Sequence, residues 1–237
     1  MLARKKNVSI ATLFSRSLTA GLALCLTLIG PVALAAGSGG GGGLSSVPTN
    51  SRALSPEQLS EKAMRAGIRE RDKAHKQEAR AADASSDKKR EKALAKAQKH
   101  YKKAISKQGE AVRHNPRNYK ALNELGYALR KTGDYRKAIG AYNMALDINP
   151  KFHEATEYRG EAFLALGFLN ETKQSYMILF RHDRELAAQL MDRIQNWATE
   201  KDGTEDPAEV DFIAWMEERQ KLAKITDDLS MNNTRTW

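Results

Sequence analysis

The sequence predicts an all-α fold: a short solenoid of helical hairpins, preceded by a long charged helix and closed by C-terminal capping helices. Three observations support this prediction. Small residues recur at a fixed spacing, since Gly126 and Gly133 reappear as Gly160 and Gly167. Apolar residues follow three- and four-residue steps over much of the chain, which indicates helices. Aromatic residues make up only 7% of the 237 residues and charged residues 29%, which suits helices with a large solvated surface.

The N-terminal residues 1–35 predict a secretory signal peptide. A basic segment without any acid is followed by the apolar run LTAGLALCLTLIG and by a small-x-small triplet that ends at Ala35. Pro31 interrupts the apolar segment just before this triplet, which favours cleavage near Ala35. A retained anchor is the alternative, because residues 18–35 are nearly long enough to span a bilayer. We therefore expect an exported, periplasmic protein, with secretion or inner-membrane anchoring as alternatives.

The rest of the chain divides by composition. Residues 36–54 are rich in Gly and Ser and predict a flexible linker. Residues 55–84 predict a charged helical arm, with Ser55 as the N-cap residue and a proline in the first helical position. Residues 85–186 contain the repeating pattern, and residues 187–230 predict helices that cap its end.

The repeat extends in both directions from residues 119–152. When residues 119–152 are shifted back by 34 positions, the spacing of the glycines, identical residues in the preceding segment fall beneath them. These pairs are Tyr135 on Tyr101, Ala138 on Ala104, Ile139 on Ile105, Ala145 on Ala111, and Asn149-Pro150 on Asn115-Pro116. A period of 34 with these residue types resembles the tetratricopeptide repeat (TPR). The match is closest for 119–152 and weaker for 153–186. In 85–118 it is degenerate and confined to the second half.

This resemblance implies antiparallel helix pairs stacked into a superhelix. Gly126 and Gly160 would then mark places where a neighbouring backbone comes close, because glycine inside a helix otherwise costs about 1 kcal/mol relative to alanine. Gly133-Asp134 would form the turn between the two helices of a pair. The chain looks most like the signal-peptide-bearing repeat proteins of Gram-negative bacteria.

The resemblance also implies a concave groove, lined by the first helix of each pair, that binds a peptide or protein segment. The residues expected to face it are Lys120, Asn123, Tyr127, Arg130, Glu154, Glu157, Tyr158 and Glu161. One side of the groove would be basic and aromatic and the next acidic. Only two residues hint at the Lys/Asn pattern by which some family members clamp a terminal carboxylate. We therefore predict a non-catalytic scaffold of the cell envelope, with a partner of unknown identity.

The sequence shows no sign of an enzyme. The five histidines are scattered, and HEATE at His153 lacks the second histidine of a zinc-protease motif. Neither a nucleophile elbow nor a phosphate-binding loop is found. Cys25, the only cysteine, falls within the predicted signal peptide, so the mature chain would have no thiol chemistry. We expect no catalysis, cofactor, metal or small-molecule substrate.

A second hypothesis rests on charge. Residues 52–108 hold 17 Lys/Arg against 8 Asp/Glu, whereas residues 109–237 hold 18 against 21. The basic N-terminal helices could adhere to anionic lipid or to another polyanion of the envelope. A row of lysines (Lys88, Lys92, Lys96, Lys103 and Lys107) lines one helix face, although a simply solvated face is the favoured interpretation. The predicted export signal argues against nucleic acid as a partner.

Overall fold

The structure, a computed structural model, describes residues 53–233, with side chains up to residue 225. The predicted signal peptide and nearly all of the predicted linker lie outside this range. Eight helices and no strand are found within it: α1 (Pro56–Ala82), α2 (Asp87–His114), α3 (Tyr119–Lys131), α4 (Tyr135–Ile148), α5 (His153–Ala165), α6 (Leu169–His182), α7 (Arg184–Glu200) and α8 (Pro207–Asn233). The predicted all-α class is therefore confirmed. None of these eight helices combines the length and apolar character needed to cross a membrane.

Two central hairpins, α3–α4 and α5–α6, repeat the same local geometry one repeat period apart. Each turn contains a glycine with positive φ, 85° at Gly133 and 73° at Gly167. The amide of Asp134 donates to the carbonyl oxygen of Leu129 at 2.9 Å, and the amide of Phe168 donates to the carbonyl oxygen of Phe163 at the same distance. Since only glycine adopts this conformation without strain, the glycine at each turn fixes where the first helix ends.

The helical glycines mark close approaches, but of side chains rather than of backbone as the sequence suggested. A Cβ atom on Gly126 would lie 2.6 Å from Cε1 of Tyr142, whose side chain is fully buried. A Cβ atom on Gly160 would lie 2.8 Å from Cδ2 of Leu190. The flat tyrosine ring of α4 thus lies directly on the backbone of α3, which is why this position has no room for a side chain.

The first hairpin, α1–α2, is an enlarged version of the same arrangement. Gln108 precedes Tyr142 by one repeat period, and its side chain lies against Gly67 of α1 as Tyr142 lies against Gly126. Its Nε2 donates to the carbonyl oxygen of Met64 at 3.1 Å. Beside α2, helix α1 therefore occupies the position that α3 occupies beside α4. Both helices are about twice as long, 27 and 28 residues against 13 and 14.

The core changes in character along the stack. Between α1 and α2 it consists largely of alanines, which allow two polar helices to pack closely. At the other end, α7 and α8 cover α6 with large apolar side chains, including Leu190, Ile194 and Phe212, all of them fully buried. These two helices cap the stack as the sequence predicts, and they bury the apolar face that the last hairpin would otherwise expose to water.

Candidate functional site

The first helices of the successive pairs, α1, α3, α5 and α7, lie side by side and form one layer. We call the exposed side of this layer the inner face. The two central hairpins supply all eight residues expected to bind a partner, on α3 and α5. Four of these residues come together where the two helices meet. This junction is the candidate site.

Partly exposed aromatic rings run across the inner face from α1 to α5. The ring centroids of His75 and Tyr127 are 5.6 Å apart, and those of Tyr127 and Tyr158 are 5.2 Å apart, both in edge-to-face contact. A hydrogen bond of 2.9 Å joins Nε2 of His75 to the hydroxyl of Tyr127. Such edge-to-face contacts are favoured by the charge distribution of aromatic rings. The three rings thus form a continuous floor over three helices.

Arg130 organises the charged part of the site. Its guanidinium carbon lies 5.2 Å from the ring centroids of both Tyr127 and Tyr158, so that it contacts both tyrosines through cation–π interactions. It also forms an ion pair with Glu161 of α5, and each of these two side chains is only 13% exposed. Burial by itself would lower the pKa of Arg130, but Glu161, Tyr142 and Tyr127 together raise this pKa by more and keep the guanidinium charged.

Each junction of the inner layer carries at least one ion pair. Arg71 of α1 pairs with Glu124 of α3, with 2.5 Å between Nη1 and Oε1. On α7, Nε of Arg193 lies 3.6 Å from Oε1 of Glu161. The predicted basic and acidic sides of the groove therefore do not stand apart. They neutralise each other across the helix boundaries, and the inner face carries little unpaired charge at this site.

Two of the eight predicted site residues are buried rather than displayed. Asn123 is 6% exposed and Glu157 is 2% exposed. They occupy the same register of successive repeats, one helical turn before Gly126 and Gly160, and this register turns towards the neighbouring helices. A partner on the surface would not touch them in this structure, so the sequence-based placement of both residues is corrected.

Glu157 has an unusual environment. Its Oε2 atom is buried and has no hydrogen-bond partner among the described residues. Burial, together with the nearby Glu161 carboxyl, raises the pKa of Glu157 to about 8. Burial and then Glu157 raise the pKa of Tyr158 to about 12. At neutral pH, Glu157 is therefore mostly protonated, which limits the negative charge beneath the site.

The remaining predicted residues divide into two groups. Tyr127, Arg130, Tyr158 and Glu161 come together in the cluster described above. Lys120 and Glu154 are exposed near the N-terminal ends of α3 and α5, where Nζ of Lys120 lies 6.0 Å from the ring centroid of Tyr119. They flank the cluster rather than join it.

The sequence did not reveal the contribution of α1. Arg71, His75 and Glu78 face α3. Glu78 forms an ion pair with Lys131 of α3, with 2.8 Å between Oε1 and Nζ. Their spacing of four and three residues places them on one helix face. That spacing, together with Gly67, is the signal in the sequence, although the composition of this segment predicts a charged arm outside the repeats. Within the described range, no group of three or more His, Cys, Asp or Glu side chains could hold a metal ion.

Comparison with known protein families identifies the segment that contains α3 and α4. The family model for the tetratricopeptide repeat matches residues 119–152, which are α3, α4 and the segment after them. The chain contains a tetratricopeptide repeat. This TPR supplies Tyr127 and Arg130, and the hairpin α5–α6 that follows it supplies Tyr158 and Glu161.

Among solved structures, the chain is similar to one described as the first TPR of Spaghetti (RPAP3) bound to the HSP90 peptide SRMEEVD. The sequence identity is 19%, and the match covers 60% of this chain and 95% of that chain, with a TM-score of 0.45. Comparison with curated proteins gives no match.

Proposed function

We propose that the protein is a non-catalytic interaction scaffold that binds a peptide or protein segment of a partner along its inner face. The observation that carries this proposal is the aromatic floor of His75, Tyr127 and Tyr158, which is continuous over three helices and partly exposed. Tyrosines offer large contact areas with little loss of side-chain freedom, and they are common in the energetically dominant parts of interfaces.

The paired charges define what kind of segment suits this floor. Arg130, Glu161, Arg71 and Glu124 already satisfy one another, so a strongly charged partner would have to break ion pairs in order to form new ones. An apolar or aromatic segment would instead gain buried area without that cost. Exposed Lys120 and Glu154 remain available at one edge, where they could select the partner's orientation. Binding should therefore depend only weakly on salt.

The proposed location is the cell envelope, and its support is the signal-peptide pattern of residues 1–35. The proposal that the protein is not an enzyme rests on the sequence, which shows no nucleophile–base pair and no ligand-spaced histidines, and on the general role of TPRs in protein interaction.

The test is selection of peptides from a displayed library, followed by calorimetric titration of the best binders. The double variant Tyr127→Ala/Tyr158→Ala should weaken binding by about tenfold or more, because it removes both central rings. A matched control is Met144→Ala/Met177→Ala, which truncates two exposed side chains on α4 and α6, outside the inner layer. The surface variant Lys120→Glu should alter peptide preference without affecting folding. Selected peptides that bind both double variants equally would contradict the proposal.

A further inference from the structure

The α1–α2 hairpin extends well past the repeats that it supports. The end of α3 contacts it through Lys131, whose Nζ pairs with Glu78 and whose carbonyl oxygen accepts from Nε2 of Gln98 at 2.9 Å. Residues 79–96 lie beyond this contact. In the part of the chain that the structure describes, no hydrogen bond, ion pair or ring contact joins them to α3 or to any later helix. The tip of the hairpin thus projects by about 15 Å, the length of roughly ten helical residues.

A narrow alanine seam holds this projection together. Ala74 and Ala81 of α1 and Ala93 and Ala97 of α2 are buried between the two helices. Because these side chains are small, the helices pack closely, and the charged side chains of the tip are exposed to solvent. The chemical character of the projection is therefore set by its polar residues.

Five lysines form a row on the outer face of α2: Lys88, Lys92, Lys96, Lys99 and Lys103. All are exposed. At about 100° per residue they fall within a sector of about 80°, roughly opposite the side that packs on α1, and they span about 22 Å. None of them forms an ion pair or a hydrogen bond with a described residue, whereas Lys107 pairs with Glu110 at 2.8 Å. Lys99 therefore replaces Lys107 in the row expected from the sequence.

The first and last hairpins of the described helices differ in charge. Residues 88–107 contain nine Lys/Arg and a single acid, Glu91, whereas residues 183–218 contain eleven Asp/Glu and three Lys/Arg. An extended anionic surface would attract the first hairpin and repel the last. Such a surface would bind the chain in one orientation.

The residue types also indicate the nature of that surface. Lysine is a compact, hydrated point charge, whereas arginine is suited to bidentate recognition of single phosphates. The row contains no aromatic side chain on which a nucleic-acid base could stack and no large apolar group that could insert into a membrane. A straight row of hydrated charges matches a plane of many anions better than it matches a discrete ligand.

We propose that this lysine row docks the protein on a bilayer that contains anionic phospholipids, by electrostatic attraction and without insertion. The row lies on the outer side of α2, away from the layer formed by α1, α3, α5 and α7, so docking leaves the inner face open. Membrane docking and partner binding are thus separate functions of two faces, and neither depends on the other.

The test uses a chain that begins at Ala36, so that the preceding apolar segment cannot itself bind lipid; it retains the compact unit 51–237. Co-sedimentation is measured with phosphatidylcholine vesicles, with and without phosphatidylglycerol. Changing the five lysines of the row to glutamine should weaken binding to the anionic vesicles by about a thousandfold or more, which abolishes measurable co-sedimentation, because each lysine near such a surface adds to the attraction. A control removes the same charge elsewhere, by changing to glutamine Lys62, Lys137, Lys151, Lys221 and Lys224.

The proposal predicts that the wild-type chain and the control bind anionic vesicles in low salt, that raised salt releases them, and that the row variant does not bind. It is overturned if the wild-type chain shows no preference for anionic vesicles, or if both variants lose binding equally. Binding to duplex DNA or heparin without binding to the vesicles would also overturn it and would identify a different polyanion. Circular dichroism verifies that each variant is folded, and peptide titration verifies that the inner face is unchanged.

Discussion

Arg130 of α3 and Glu161 of α5 form an ion pair across the boundary between two hairpins, with each side chain only 13% exposed. The pair joins a TPR to the hairpin that follows it, and it lies between the two tyrosines to which we assign binding. It therefore links the stability of the stack to the shape of the candidate site.

Glu161→Gln should destabilise the fold. It leaves the Arg130 guanidinium largely buried without a counter-ion, and it also removes the partner of Arg193. We expect a loss of about 2–4 kcal/mol in the free energy of unfolding, measured by urea denaturation. The control is Asp134→Asn, whose lysine partner Lys137 is 74% exposed, and which should change stability by about 0.5 kcal/mol or less. Equal losses of unfolding free energy from the two substitutions would show that the Arg130–Glu161 ion pair does not hold the two hairpins together.

Two glycine-to-alanine substitutions should change the stability of the fold in opposite directions. Gly126→Ala places a methyl group 2.6 Å from a ring carbon of fully buried Tyr142, so we expect a loss of about 1–3 kcal/mol in the free energy of unfolding. Gly140→Ala, in the interior of α4, places its methyl group in open space and should stabilise the helix by about 0.5–1 kcal/mol. Urea denaturation of both variants measures the difference. A tolerated Gly126→Ala would mean that Tyr142 does not pack on α3.

Glu157 should make stability depend on pH. Burial and the neighbouring Glu161 raise its pKa from an ordinary 4.5 to about 8, although Arg130 and Arg193 act in the opposite direction. The folded chain therefore holds this proton more tightly than the unfolded chain. The resulting stabilisation is complete below pH 4.5 and is lost as the pH rises through 8.

Glu157→Gln isolates this contribution because the amide stays neutral throughout. The difference in unfolding free energy between variant and wild type should shift in favour of the variant by about 2 kcal/mol or more between about pH 5 and pH 8. Urea denaturation at a series of pH values measures it. If the unfolding free energies of variant and wild type change in parallel with pH, Glu157 is ionised in the folded protein at neutral pH.

The sequence predicted the features that depend on local structure. Gly133 and Gly167 were identifiable because a positive-φ turn requires glycine within a few residues of a helix end, and both have positive φ. The repeat period predicted the pairing within the hairpins α3–α4 and α5–α6 for the same reason: contacts within a hairpin recur at the same spacing.

Features that depend on packing between distant segments were not predictable in this way. Gly67 and Gly126 occupy equivalent positions in their hairpins but are separated in the sequence by much more than one repeat period. Because the helices of the first hairpin are longer, a search for a fixed period does not detect its similarity to the later hairpins. The burial of Asn123 and Glu157 depends on how adjacent hairpins are rotated relative to each other. The pairing of Arg130 with Glu161 depends on the same rotation, which a repeat period does not specify.

The most direct test of the central claim is hydrogen exchange of the chain from Ala36, alone and with a peptide obtained by the selection described above. Our account predicts that bound peptide slows amide exchange in α3 and α5, with smaller changes in α1, and that Tyr127→Ala/Tyr158→Ala abolishes the effect. Protection confined to the lysine row of α2 or to α8, with α3 and α5 unchanged, would contradict the assignment of the inner face as the binding site.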